Sequence, residues 1–177
     1  MLDTRQAFAE NASIQVLSAS PGWISLLIPP SLEAKEQVCR HFKEHLRDLP
    51  AGLCDALMLA ADELLTNAIE HGCRHSKQSC VEVSLIRTSQ LLMLHIRDSG
   101  KGFPVADTLH AAINNPPGDP LRHFWLRSEM GMRPGGFGIM LVRQIADELV
   151  YNETGNEVLM VKLLAKAHEC DWPANHS

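Results

Sequence analysis

The stretch Asp62-Glu63-Leu64-Leu65-Thr66-Asn67-Ala68-Ile69-Glu70-His71-Gly72 decides how the rest of the sequence reads. It closes a helix expected from about Cys54 to His71, and Gly72 stands where helices commonly stop. Leu57, Ala60, Ala61, Leu64, Leu65 and Ala68 supply its apolar side. Glu63, Asn67 and His71 are four apart, so a regular helix lines them up on one face, away from Leu64 and Ala68. A carboxamide oxygen can hold a hard cation such as Mg²⁺. A carboxylate one turn away can orient or deprotonate a nucleophile. Alone, the same pattern is more often a solvated polar face.

Two further segments stand out. In His95-Ile96-Arg97-Asp98-Ser99-Gly100-Lys101-Gly102-Phe103 a strand ends in an acid and runs into alternate glycines. Asp98 then sits at the lip of a sheet, where its carboxylate can accept a hydrogen bond from an amino group. Glycines there permit close backbone approach to a ligand. An ordinary Asp-Ser-Gly turn gives the same letters. In Arg133-Pro134-Gly135-Gly136-Phe137-Gly138-Ile139-Met140-Leu141-Val142-Arg143 glycines lead into an apolar helix. Such a helix start suits an anion. It is not a Walker A loop, because no Gly-Lys-Ser/Thr follows.

Around these segments the chain reads as strands and helices in turn. Ile14 and Val16 suggest a short strand before a turn at Ser20-Pro21-Gly22, and Trp23 to Ile28 a second strand. Ser31 caps a helix that runs to about Leu49 on Leu32, Val38, Phe42 and Leu46. Val81 to Arg87 and Leu91 to Arg97 form a hairpin across Thr88-Ser89-Gln90. A third helix is expected from Phe137 to Leu149. A last hairpin joins Val150–Glu153 to Val158–Leu164 across Thr154-Gly155-Asn156. This order predicts an α+β two-layer sandwich, a mixed sheet with helices on one face.

The segment between Asp98 and Gly138 is long and rich in proline and glycine, which marks a functional loop or a disordered one. Trp125, Phe124, Leu121 and Leu126 could form a short amphipathic helix within it. Residues 1–22 read as an N-terminal extension, 23–165 as the domain and 166–177 as a tail.

The chain has 177 residues, and 16 Lys and Arg stand against 21 Asp and Glu for a formal charge of −5. That length fits one domain, and that charge argues against nucleic acid as a partner. No apolar run approaches a membrane span and no basic-then-apolar leader opens the chain, so a cytoplasmic, membrane-free protein is expected. The five cysteines, an odd number, read as thiols and not as a disulfide framework. His71, Cys73, His75 and Cys80 match no common zinc spacing. Apolar positions on both faces of the last strand predict a homodimer.

Taken together, in this order, the three segments resemble the N, G1 and G2 boxes of the GHKL ATPase superfamily, with its Bergerat-type fold. By that resemblance Glu63 is the catalytic base and Asn67 holds Mg²⁺. Asp98 takes the adenine amino group, with Gly100, Gly102 and Phe103 shaping its pocket. Gly135, Gly136, Phe137 and Gly138 approach the phosphates, and His71 adds a nucleotide contact. Residues of about 103–135 become the ATP lid. The compact layout, with Thr66-Asn67-Ala68-Ile69-Glu70-His71 and Gly138-Ile139-Met140-Leu141-Val142, looks most like the anti-sigma-factor serine/threonine kinases. That branch implies ATP and Mg²⁺ as cofactors, a STAS-domain antagonist as phosphoacceptor, and in many members a sigma factor as second partner. The rival reading is a non-catalytic module of the same fold that sequesters a regulator. An ATPase that uses water as acceptor is a third.

Overall fold

The computed structural model describes residues 13–73, 79–103 and 137–164. Two strands open it, β1 (Gln15–Ser20) and β2 (Trp23–Ile28), followed by helices α1 (Leu32–Leu46) and α2 (Ala51–Asn67). A π-helical turn (Ala68–Gly72) extends α2. Strands β3 (Val81–Arg87) and β4 (Leu91–Asp98), helix α3 (Phe137–Ile145), and strands β5 (Glu148–Tyr151) and β6 (Glu157–Leu163) complete the order. The strands form one sheet in the order β1-β2-β3-β4-β6-β5.

The α+β sandwich is as expected, but its sheet is not mixed. Every pairing among the described residues is antiparallel. After β4 the chain travels through α3 to the far edge, lays down β5 there, and turns back so that β6 enters beside β4. A return by hairpin reverses direction, which makes the inner pair antiparallel.

Alternation along the strands fixes the two faces. Val81, Val83 and Leu85 of β3, and Leu92, Leu94 and Ile96 of β4, are buried. Register carries this layer across the sheet, with Ile24 opposite Leu85, Leu26 opposite Val83, Leu94 opposite Met160 and Ile96 opposite Val158. The helices seal it. In α1 the buried residues Ala34, Val38, Phe42 and Leu46 recur every four, the spacing of one helix face. The Ser31 hydroxyl accepts from the Ala34 N–H at 3.2 Å, as a cap at that position should. Between the helices, the Lys35 ammonium bridges the Asp62 carboxylate (2.7 Å) and the Thr66 hydroxyl (3.1 Å).

The helix boundaries differ from the periodicity reading: α1 ends at Leu46, not near Leu49. Helix α2 starts at Ala51, not near Cys54. The Pro50 carbonyl accepts from the N–H groups of Leu53 and Cys54, which draws Gly52 into the first turn. Helix α3 ends at Ile145, four residues early. Asp147 is captured by β6: its N–H donates to Val161 and its carboxylate accepts from Leu163 N–H at 2.6 Å. The apolar residues after it therefore alternate as strand β5. The short strand expected around Ile14 and Val16 is edge strand β1, which pairs with β2.

Phe42 is 1% exposed and belongs to the main hydrophobic core. Replacing it with alanine leaves a cavity that should cost about 3–5 kcal/mol. The exposed Leu59→Ala should stay within about 0.5 kcal/mol. Urea unfolding of both variants checks the pair, and equal losses would mean the helix layer is wrongly assigned.

Candidate functional site

The end of α2 meets the end of β4 with no room to spare. Gly72 packs so closely on Asp98 that a Cβ there would collide with its carboxylate. A Cβ on Gly100 would in turn run into the Gly72 carbonyl. The π-helical turn produces this fit. Ala68 N–H is shared between the carbonyls of Leu64 and Leu65, and the wider turn that follows carries the chain onto the strand end. Glu63 and Asn67 lie within α2, one turn apart, and His71 lies in the π-helical turn that follows.

Beside this contact lies a shallow concavity, open to solvent. Leu64, Ala68, Ile96 and Val158 give it an apolar floor, while Asn67 and Asp98 present a carboxamide and a carboxylate. Gly102, Phe103, Tyr151 and the Gly155–Glu157 segment form the opposite wall. An apolar hollow with a few convergent polar groups is the usual form of a small-molecule site. Asp98 is half-buried, and its Oδ1 accepts from the Gly100 N–H at 2.7 Å, leaving Oδ2 able to accept from a ligand donor. Burial raises its pKa, and the Gly100 bond only partly opposes this. Burial also pushes the Tyr151 phenol up to about 12. The Tyr151 ring meets Phe103 edge-on with centroids 5.6 Å apart.

Glu63 lies outside the lining of this hollow. Its carboxylate rests on the first turn of α3, where a Cβ on Gly138 would strike it. A carboxylate is favoured there by the positive end of the helix. Phe137 opens α3, but its side chain, like that of His71, is outside the description. Gly135, Gly136, the expected lid apart from Phe103, the proposed aromatic helix around Trp125, and His75 lie outside the described residues. Of the two thiols near the site, Cys73 points at the Cys80 carbonyl (3.7 Å), and burial raises its pKa. Among the described residues no cluster of His, Cys, Asp or Glu could hold a metal ion, and no helix is long and apolar enough to cross a membrane.

The structure thus brings Asn67, Asp98, Gly102 and Phe103 around one hollow, with Gly100 beneath the Asp98 carboxylate and the Glu63–Gly138 contact one turn back along α2. Sequence reasoning missed the hairpin residues Tyr151 and Asn156 as parts of this wall. Their signal was the last strand itself, because pairing of Glu157 with Arg97 sets Asn156 beside Asp98.

Residues 28–162 match the family model of the histidine kinase-like ATPase domain. Over 114 residues the chain is 31% identical to the serine/threonine-protein kinase BtrW of Bordetella bronchiseptica, covering 63% of this chain and 72% of that protein.

The raised pKa of Asp98 has a consequence for stability. The folded state favours the protonated acid, so this contribution is present at low pH and lost as pH rises through the folded pKa. Asp98→Asn should therefore raise the ligand-free Tm at pH 7, by an amount that shrinks towards pH 4. Thermal melts at both values test this, and a lower Tm at pH 7 would contradict it.

Proposed function

The chain belongs to the histidine kinase-like ATPase family, and on that premise we propose that it transfers the γ-phosphoryl group of ATP to a serine or threonine of a partner protein. The observation that carries the reading is the pairing, on one helix, of Asn67 at the hollow and Glu63 at the start of α3. A binding module has no need of a carboxylate there; a kinase does.

The roles follow from position. The base of the nucleotide enters the apolar hollow, and its amino group donates to the Asp98 carboxylate. The phosphates extend towards the amide end of α3, past Gly138. The partner's hydroxyl comes within reach of Glu63, whose carboxylate takes its proton as the oxygen attacks the γ-phosphorus. The new O–P bond forms as the bond to the bridging oxygen breaks, and ADP leaves. Asn67 offers a hard oxygen suited to Mg²⁺, which when bound neutralises charge on the phosphate oxygens. Phe103, Gly100 and Gly102 shape the base end in this reading, and His71, Gly135, Gly136 and Phe137 complete the nucleotide contacts.

The acceptor in this proposal is a STAS-domain antagonist of an anti-sigma factor, with a sigma factor as alternate partner, in the cytoplasm. The protein acts as a homodimer. Exposed Trp23 and Val150, on the sheet face away from the helices, support that assembly.

The test mixes the protein with Mg-ATP labelled on the γ-phosphate and the STAS protein encoded beside it. Label should appear on a serine or threonine of that protein. Glu63→Gln should still bind ATP, with transfer reduced roughly 10²–10⁴-fold, the usual share of a positioned base. Asn67→Ala should weaken nucleotide binding chiefly in the presence of Mg²⁺. Parent-like transfer by Glu63→Gln would sink the catalytic assignment. Tight ATP binding by the parent without transfer would favour the sequestering module.

A further inference from the structure

The loop after β4 is held in shape from outside, by the β5–β6 hairpin. Past Asp98 the backbone bends so that the carbonyls of Asp98 and Gly100 converge on one point. The nitrogen of the Asn156 carboxamide sits there, 3.2 Å from the Gly100 oxygen and 3.4 Å from the Asp98 oxygen. Two carbonyl oxygens facing one another repel, and an NH₂ group carries two protons in one plane, one for each. The other end of the carboxamide is equally fixed. Its Oδ1 accepts from Asn152 Nδ2 at 2.8 Å. The Oδ1 of Asn152 accepts in turn from the N–H groups of Gly155 (2.8 Å) and Asn156 (3.1 Å). Each donor in this chain meets an acceptor, so neither carboxamide can be turned round without setting like atoms together.

The backbone repeats the attachment. Asp98 N–H donates to the Asn156 carbonyl at 2.9 Å, one step beyond the β4–β6 ladder. Gly102 has φ +71, and a Cβ there would collide with the Thr154 carbonyl. The segment from Asp98 to Gly102 is therefore clamped against the hairpin along its length, and the Asn156 side chain makes the part of that clamp the backbone cannot.

We propose that Asn156, itself oriented by Asn152, is a positioning residue for nucleotide binding: its carboxamide holds the Asp98–Gly102 loop in the shape that receives the base. The proposal rests on the functional reading above. Asn156 acts on the base end of the site, so its loss raises the KM for ATP and leaves kcat for transfer unchanged. A residue needed only for folding would do the reverse, because a smaller folded fraction lowers apparent kcat and leaves KM alone.

The test uses the full chain with Asn156→Asp, which keeps the size and replaces the donor pair by an acceptor facing two carbonyls. ATP and ADP affinities should fall together, by about tenfold to a hundredfold, the loss of one or two hydrogen bonds that order the site. KM should rise by the same factor, with kcat within about twofold of the parent. Asn152→Asp should show a smaller loss in the same direction. Unchanged nucleotide affinity, or a fall in kcat without a rise in KM, overturns the proposal. Should Asn156→Asp fail to fold by circular dichroism, Asn156→Thr, which keeps one donor, decides: a KM raised severalfold supports the clamp and a parent-like KM overturns it. Amide exchange of Gly100 and Gly102 supplies a readout independent of nucleotide. It should quicken in Asn156→Asp while Leu94 and Ile96 stay protected, and unchanged exchange overturns the proposal. A parent protein that binds no ATP would overturn the functional reading, and the exchange rates would still decide the clamp.

Discussion

Gly72 has no side chain because Asp98 occupies the space one would need. This contact joins the end of the second helix to the end of the fourth strand, and the hollow beside it exists because the two ends meet there. A carboxylate half-removed from water needs compensation, and here the backbone N–H groups of Gly100 and of Asp98 itself supply part of it. The remaining acceptor capacity is what a ligand amino group would meet. Were the helix to end one ordinary turn earlier, or to carry a Cβ at its last position, the carboxylate would move and the floor of Leu64, Ala68 and Ile96 would lose its lip.

The rest of the fold keeps that junction in register. The sheet aligns Ile96 and Val158 beneath the hollow, and the layer of Val83, Leu85, Leu94 and Met160 anchors the helices above them. The π-helical turn adds the local correction that brings the chain onto the strand end. Its position is informative, since such turns interrupt the regular ladder and are common where a helix must present groups to a site. About two turns back from Gly72 along the same helix stretch, Glu63 meets the glycine of α3. Two glycines thus admit two carboxylates, one at each end of a site built along a single helix. Family membership gives this arrangement its meaning: a fold that handles ATP needs one end for a base and another for phosphates.

Much of this was legible in the sequence, for identifiable reasons. Strands β3 and β4 showed through because their buried residues alternate cleanly, β2 because a short apolar run stands between turn residues, and α1 because Val38, Phe42 and Leu46 keep a four-residue spacing. Asp98 and the glycines after it were legible only in company with the other two segments, because an ordinary Asp-Ser-Gly turn gives the same letters. What stayed hidden depends on tertiary pairing. The end of α3 is set by the capture of Asp147 by β6, and no local pattern distinguishes that from another helical turn. The π-helical turn over Ala68–Gly72 stayed hidden too, because periodicity at 3.6 residues cannot register it. Tyr151 and Asn156 belong to the wall of the hollow only through the pairing of β6 with β4, some sixty residues apart in the chain. The mixed sheet failed for the same reason, since strand direction follows from where the last hairpin re-enters.

The central claim is that one hollow, bounded by Asp98 and leading to Glu63, receives ATP. Its most direct test is a crystal structure with a non-hydrolysable ATP analogue and Mg²⁺. The account predicts the adenine amino nitrogen within hydrogen-bond distance of the Asp98 carboxylate, Asn67 on the metal, and the γ-phosphate between Glu63 and the start of α3. A nucleotide bound elsewhere, or one whose base faces away from Asp98, would contradict it.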